Sequence, residues 1–458
     1  MALDLARPPM EAFHMPSLHP GIFYLPPRPG WIIRPAPAAS LRLFAASDSN
    51  ALLELQQSTI DGQEARLLGS AMEINASPVV LTGAEFWGSY ARIAGRYWLN
   101  GASGDRLRMK YDLANPGKAR QERTTIAFRH AQFGASFQIP VWRQDSGDLD
   151  IAIQLKNGFN YFHFTAETLG SLAHFAQDQG GRPINLHLPE GELRGFVGRF
   201  IAAIFPELAP RVRLVHAPQP YAAVRSVYNH RHYLYQVRDD RVTQAAAQAL
   251  DPRWTALRSE TMYRKAVSMA SFDSSLRLLR DHALRRIPAG LAATMPRLVW
   301  MGRDSSGQAA RLRPLTGHEP LLEELSARGF EVVNFEHLGP LGQVAAMQGA
   351  DIVIAPHGAG LANMAYARPD TTVIEIGHRQ TQLYRWGDFL PLAHVSRCNY
   401  TTVFADIAGA GDPDAVPPIS QGLLGVHVGR RATDRIIRLI DRDLERRRRK
   451  QTARASTG

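Results

Sequence analysis

Cysteine is nearly missing from this chain: its 458 residues contain one, Cys398. A single thiol excludes internal disulfides and any zinc site built on cysteine, and it fits a reducing compartment. Long apolar runs are missing too, since none approaches the roughly 20 residues that span a bilayer. Residues 1–12 carry Asp4, Arg7, Pro8, Pro9 and Glu11 and form no signal-peptide core, so the expectation is a soluble, cytoplasmic protein. Acidic residues run a deficit, 42 Asp+Glu against 53 Lys+Arg, for a formal net charge of +11. That balance admits nucleic acid, anionic membrane or an anionic substrate as partner. A basic nucleic-acid-binding protein is the rival reading from another class; against it, aromatic residues do not interleave with the basic clusters and no nucleic-acid motif occurs. Length and a 45% hydrophobic content leave room for two or three domains with ample core.

Residues 1–50 are proline-rich and read as an irregular arm. From 51 to 288 a first domain is expected, β-rich at its start. There 78–81, 86–90 and 97–101 suggest strands and turns, with Asn100-Gly101 a hairpin signal. Regular α/β alternation begins near residue 150. It predicts strands at 151–155, 183–188 and 211–215, a helix from Tyr161 to about Gln177 capped by Asn160, another at 192–205, and a long one at 259–287. Pro288, Gly290 and Pro296 mark a boundary. A second α/β domain, 289–430, alternates strands at 298–301 and 330–335 with helices at 320–328 and 341–348, and a final helix with a basic tail occupies 431–458. This rhythm indicates a parallel sheet of the doubly wound kind.

The densest chemistry lies at 349–376. Ile352 to Ala355 is a short β-branched run suited to a strand buried on both faces. Pro356 ends it, lacking the N–H a ladder needs. Gly358 and Gly360 should permit angles and close approaches closed to other residues, and a helix should begin near Gly360 or Leu361. Strand, glycine loop and helix start together form an anion site, with phosphate the commonest occupant. His357 should project from the loop toward that anion. A second strand, 372–376, should present Glu375 at its C-terminal end, where a carboxylate can take the paired hydroxyls of a ribose.

The string Ala-Asp-Ile-Val-Ile-Ala-Pro-His-Gly-Ala-Gly-Leu-Ala-Asn, residues 350–363, followed by Val-Ile-Glu-Ile at 373–376, resembles the signature of glycosyltransferase family 61, in particular its bacterial capsular-polysaccharide members. The resemblance implies the GT-B architecture, two Rossmann-like halves facing a cleft. It implies an inverting transfer from a nucleotide-diphosphate sugar, a UDP-sugar, to a glycan or lipid-linked acceptor. It assigns donor binding to Pro356, His357, Gly358, Ala359, Gly360, Leu361, Asn363 and Glu375. Arg303 and Arg311 fit a third element of the family, a strand ending in arginine followed by a second arginine and an Asn-Glu-like pair. Gly317-His318-Glu319 stands where that pair belongs, so only Glu319 matches. Arginines facing the loop would neutralise a diphosphate.

Asn160-Tyr161-Phe162-His163-Phe164-Thr165-Ala166-Glu167 is similar to the Asn-Tyr-x-His-x-x-x-Glu element of the same family. His163 and Glu167 share a helical face at i,i+4, and Gly170 and His174 should extend it, beside a core stripe of Phe162, Ala166, Leu169, Ala173 and Ala176. Either His163 or Glu167 could serve as catalytic base, and the same spacing also suits a plain surface pair. Asp148-Leu149-Asp150, Asp412-Pro413-Asp414 and Asp441-Arg442-Asp443 are not placed after strands as a metal-chelating Asp-x-Asp string must be. No metal and no cofactor beyond the donor are therefore expected. His230 and His232 lack a nearby carboxylate and read as polar residues of an acceptor-side loop. From 441 to 458 seven basic residues face three acidic ones, a tail suited to anionic lipid at the membrane's inner face or simply to the helix dipole. A sugar-nucleotide-binding paralogue without a base is a further alternative.

Overall fold

The computed structural model describes residues 12–16, 18–64, 69–101, 103–104, 107, 139–156, 158, 160–191, 193–231, 269–302, 313–409 and 416–455. The chain is α/β and divides into two compact units. Unit 1 holds Met1–Ala36 and Leu68–Arg285, and unit 2 holds Pro37–Leu67 and Arg286–Gly458. Among the described residues no helix is long and apolar enough to cross a membrane.

Unit 2 carries the sheet that the C-terminal pattern predicts. Its strands lie in the order Glu331–Asn334, Leu298–Gly302, Ile352–Pro356, Thr372–His378, Asn399–Ile407, all parallel. Taken in chain order from Leu298–Gly302, this is the 2-1-3-4-5 doubly wound arrangement. Its switch point, where ligands bind in such sheets, falls between the Leu298–Gly302 and Ile352–Pro356 strands. The Ile352–Pro356 strand is buried at every position, as its unbroken apolar run requires. Full burial of a side chain such as Ile354 contributes about 1.5–3 kcal/mol. The turn into it from the Pro340–Gly349 helix needs a glycine: a Cβ on Gly349 would stand 2.4 Å from the Ala292 carbonyl oxygen. One layer over the sheet comes from the Arg430–Ala455 helix, whose Ile436, Leu439 and Ile440 share a core with Leu321, Leu325 and Ile354.

Residues 37–50 of the expected arm are not irregular, and they continue into a helix rather than a β-rich start. Ser40–Ala45 is a parallel edge strand on Asn399–Ile407, and Asn50–Glu64 is a helix. Buried Gln56 explains the docking. Its Oε1 accepts from the N–H groups of Ala46 (3.1 Å) and Ser47 (3.2 Å), and its Nε2 donates to the Ala405 carbonyl (3.0 Å). Proline earlier in the arm is tolerated for the usual reason: Pro35 lies on the outer strand, Ile33–Ala36, of a three-stranded sheet.

Unit 1 departs from the expected second Rossmann-like half. Its nine-stranded sheet is parallel where Gln219–Asn229, Ile151–Gln154, Ile184–His187 and Val212–Val215 meet, and again where the short Phe13–His14 strand pairs with Arg96–Trp98. Gln219–Asn229 then pairs antiparallel with the long Ala76–Trp87 strand, which continues through Tyr90–Ile93 and Arg96–Trp98 as a meander. The hairpin turn is Ala94-Gly95, with φ of 47° and 77°, the two positive values a type I′ turn demands. The Asn100-Gly101 signal was misleading. Asn100 instead spends its side chain on the neighbouring strand, Nδ2 donating to the Val227 carbonyl (2.9 Å) and Oδ1 accepting from Asn229 N–H (2.9 Å). The predicted strands at 151–155, 183–188 and 211–215 are present within a residue of their expected ends. Of the long helix expected at 259–287, Ser274–Arg286 is helical, Ser271–Asp273 is a strand, and 259–268 lies outside the described residues.

Candidate functional site

In unit 2 the switch point is finished by residues 357–366. His357 N–H donates to the Ile376 carbonyl (2.9 Å), so the ladder runs one residue past Pro356. Gly358 is fully extended (φ 177°), an angle open to any residue. The expected conformational need for glycine there is therefore absent. Gly360 has a steric reason instead, because a Cβ would lie 3.1 Å from the Met301 sulfur. The helix that follows, Ala359–Tyr366, is a 3₁₀ helix buried from Leu361 onward. Only Gly358, Ala359 and Gly360 are partly exposed, and a helix start leaves the N–H groups of Ala359 and Gly360 without an intrahelical acceptor. Leu361 packs inward. Asn363 braces the loop from below, its Nδ2 donating to the Gly360 carbonyl (3.1 Å) and to Gln343 Oε1 (3.1 Å).

His357 does not project freely from the loop. It is buried, its ring centroid 5.2 Å from that of Phe389, and its Nδ1 donates to Glu375 Oε1. Glu375 is not at a strand end either, since its strand runs on to His378. Tyr400 and Thr402 of the next strand both donate to Glu375 Oε2, Thr402 at 3.2 Å and directly opposite in register. Burial by itself would raise the Glu375 pKa. The His357 charge and the hydrogen bonds from His357, Tyr400 and Thr402 outweigh it and hold the carboxylate below its ordinary range. Burial and the adjacent carboxylate push the Tyr400 phenol well up, which keeps its proton in place as donor. A carboxylate filled in this way orients the imidazole; it does not stand open for a ribose.

Arg303 and Arg311 lie outside the described residues. A different arginine reaches the loop: Arg313 Nη1 donates to the His357 carbonyl (3.2 Å). At the neighbouring strand end Asn334 Oδ1 occupies the space a Gly302 Cβ would need, 2.2 Å from its position. His378, at the end of the Glu375 strand, is held down to about 4 mainly by burial, with the His357 charge next.

In unit 1 Asn160 caps its helix as its residue type predicts, Oδ1 accepting from Phe162 N–H (3.0 Å) and His163 N–H (3.4 Å). His163 Nδ1 and Glu167 Oε1 are 3.1 Å apart, and both side chains remain about a third exposed. Glu167 sits in a π-helical stretch, Phe164–Leu169, a local irregularity that recurs at functional positions. The widened turn also re-phases the helix. The buried positions are Phe164, Thr165, Thr168, Leu169, Leu172 and Phe175, with Phe164 against Phe196 and Phe200; of the expected stripe Leu169 is buried, whereas Phe162, Ala166, Ala173 and Ala176 are only partly so. His174 consequently leaves the His163–Glu167 face. Its Nε2 meets Ser275 Oγ (2.9 Å), and burial lowers it to about 4.

His230 is not in a polar loop. It is fully buried, Nδ1 donating to the Asn75 carbonyl (2.7 Å) and Nε2 accepting from the Tyr24 hydroxyl (2.6 Å), and burial pushes it down to about 4. His232 lies outside the described residues. Asp150 is occupied by Arg182 and Asn185, Asp441 by Arg328, and Asp443 by Arg446 and Arg447; 412–414 is outside the described residues. Among the described residues no cluster of three or more His, Cys, Asp or Glu side chains could hold a metal.

Sequence reasoning missed Arg313, Tyr400 and Thr402. Only the last two left a signal, polar residues two apart in an otherwise buried strand. With this geometry in hand, residues 161–374 match the family described as Glycosyltransferase 61. The matched span opens on the Tyr161 helix and closes one residue before Glu375. The chain is also similar to a beta-1,2-xylosyltransferase of Oryza sativa subsp. japonica, 33% identical over 91 residues. That alignment covers 20% of this chain and 16% of the rice protein's length.

Proposed function

We propose, from the premise that residues 161–374 belong to glycosyltransferase family 61, that this protein transfers a sugar from a nucleotide-diphosphate sugar to a hydroxyl of a glycan acceptor. The observation that carries the reading is the His357–Glu375 pair at the switch point of the unit 2 sheet, beside the exposed backbone of 358–360. In this reading the donor diphosphate lies over Gly358–Gly360. The orphan N–H groups and a proton on His357 Nε2 stabilise the charge that grows on the leaving group. Arg313 fixes the loop through the His357 carbonyl and adds positive charge.

The acceptor oxygen attacks the anomeric carbon from the face opposite the diphosphate, and the bond from that carbon to the phosphate oxygen breaks. UDP departs, the configuration inverts, and the acceptor proton passes to Glu167, which His163 orients. In this reading unit 1 binds the acceptor and unit 2 binds the donor. A UDP-sugar donor, metal independence, a surface polysaccharide as product and a cytoplasmic, peripheral location belong to the same proposal. A panel of nucleotide sugars, UDP-xylose and UDP-glucose among them, assayed for nucleotide release tests it. Release of UDP from at least one donor is expected. A protein that neither binds UDP in calorimetry nor releases nucleotide from any donor would overturn it.

A further inference from the structure

Beside Glu167, unit 1 has a partly open recess of about 30 Å³ whose other lining groups the proposed reaction does not use. Its lining is mostly polar and includes Asn100, Ser103, Gln154, Lys156, Glu167 and Ser171. Several of these groups are rigidly held. Asn100 Nδ2 donates to Val227 O and to Gln154 Oε1 (3.4 Å), Gln154 Nε2 donates to the Ser89 carbonyl (3.0 Å), and Ser171 Oγ donates to the Glu167 carbonyl (2.8 Å). Ser103 is the exception. It is 1% exposed, and its hydroxyl has no hydrogen-bond partner among the described residues. A buried hydroxyl without a partner weakens the fold, so its presence in a polar, prearranged recess points to an absent one.

The dimensions narrow the occupant. About 30 Å³ accommodates roughly two water-sized groups, which is too little for a sugar ring and enough for the hydroxyls along one edge of it. The chemistry agrees. A sugar hydroxyl both donates and accepts, and the recess offers a carboxylate, an ammonium and hydroxyls within one small space. We propose that this recess is a subsite for two neighbouring hydroxyls of the acceptor sugar. One is taken by Ser103, and the other is directed at the Glu167 carboxylate, to which it gives up its proton. Ser103 is thus a specificity-determining residue for the acceptor. The inference rests on the transferase reading and assigns the acceptor's class to a carbohydrate bearing a vicinal diol.

The test uses the full chain with UDP present. Methyl β-D-xylopyranoside and methyl β-D-galactopyranoside serve as probes in saturation-transfer NMR, with UDP affinity measured separately by calorimetry. At least one glycoside should bind the wild-type protein. Ser103→Ala should weaken it by about 3–10-fold, the range for one neutral hydrogen bond, and leave UDP affinity unchanged. The same variant should raise the Tm of the unliganded protein, because an unpartnered buried hydroxyl is gone. Ser103→Leu, which fills the recess, should abolish the glycoside signal. Unaltered glycoside affinity in both variants overturns the subsite. So does a wild-type protein that binds UDP and neither glycoside, a result that leaves the transferase reading standing. Binding of neither UDP nor glycoside overturns both. Glycoside binding that Ser103→Leu removes, in a protein that never binds UDP, supports the subsite and removes the donor reading.

Discussion

His357 stands one residue past the Ile352–Pro356 strand and Glu375 within the neighbouring parallel strand, and the imidazole Nδ1 donates to the carboxylate where Tyr400 and Thr402 hold its other oxygen. Both side chains are about 6% exposed, so neither can lose the other without leaving a buried polar group unsatisfied.

His357→Ala should therefore do two things at once. It should weaken UDP binding by about 1.5–3 kcal/mol, the range for a hydrogen bond to a charged group. It should also destabilise unit 2 by about 3–5 kcal/mol, because the Glu375 charge loses its partner. Adding Glu375→Gln should recover much of the stability and none of the UDP affinity. Calorimetry and denaturant titration of the single and double variants separate the two effects, and full recovery of affinity in the double variant would refute the donor assignment.

Glu167→Gln and His163→Ala should each lower turnover by roughly 10²–10⁴-fold while UDP affinity holds. The double variant should be little worse than the poorer single one, since two groups acting as a unit do not add. Two active single variants would move the base elsewhere. A fall in UDP affinity alongside turnover would place this helix in the donor site.

UDP binding should survive a chelator. Asp150, Asp441 and Asp443 are engaged by arginine or asparagine, and the diphosphate site proposed above uses backbone N–H groups, His357 and Arg313. If EDTA abolishes binding and magnesium or manganese restores it, this account of the site fails.

Stability should fall on mild acidification. Burial lowers His14, His174, His187, His230 and His378 to about 4, whereas an unfolded histidine titrates near 6.5. Below pH 6.5 the unfolded chain takes up protons that the folded chain refuses until about pH 4, so stability declines through that window. Each site contributes roughly 3 kcal/mol at most. The depressed Glu375 acts in the same direction, its stabilisation being lost as pH falls through its low folded value. Thermal melts between pH 7.5 and 4.5 check the trend, and a flat profile would contradict it.

The last helix should attract anionic vesicles through Arg438, Arg442 and Arg448, which are exposed and form no ion pair among the described residues. Arg447 is different. Its guanidinium reaches Asp443, the Asp351 carbonyl (2.9 Å) and the Asp370 carbonyl, so it ties the helix to unit 2. Replacing the three exposed arginines by glutamine should cost about 1 kcal/mol of attraction each at low salt. Sedimentation with vesicles rich in phosphatidylserine measures it; equal binding by both proteins rules the contact out.

The parallel sheet of unit 2 was legible in sequence because strands buried on both faces are unbroken apolar runs, as at 352–356, and because glycine and proline separate them. The Asn160 cap was legible for a similar local reason. What stayed hidden depends on distant chain. Glu375 reads as a strand-end carboxylate until Tyr400 and Thr402 are seen beside it, and those contacts follow from strand order. The π turn at 164–169 shifts which residues face the core, and no periodicity announces it. His230 resembles any loop histidine until the Tyr24 hydroxyl and the Asn75 carbonyl close over it.

The edge strand Ser40–Ala45 and its Gln56-anchored helix have a consequence for how this protein comes into being. The strand's partner, Asn399–Phe404, is made about 350 residues later. At about 5–20 residues per second, the early segment waits some tens of seconds with its apolar face uncovered. Unit 2 cannot close before synthesis has passed residue 404, whereas the contacts of unit 1 are all available by residue 285. A fragment begun at Arg286 would carry the loop, the His357–Glu375 pair and most of the sheet. It would also present the bare edge of Asn399–Ile407 to any other strand, the circumstance in which sheets join between molecules. Expression of the 286–458 part alone calls for residues 37–64 to be supplied with it, in cis or as a separate peptide.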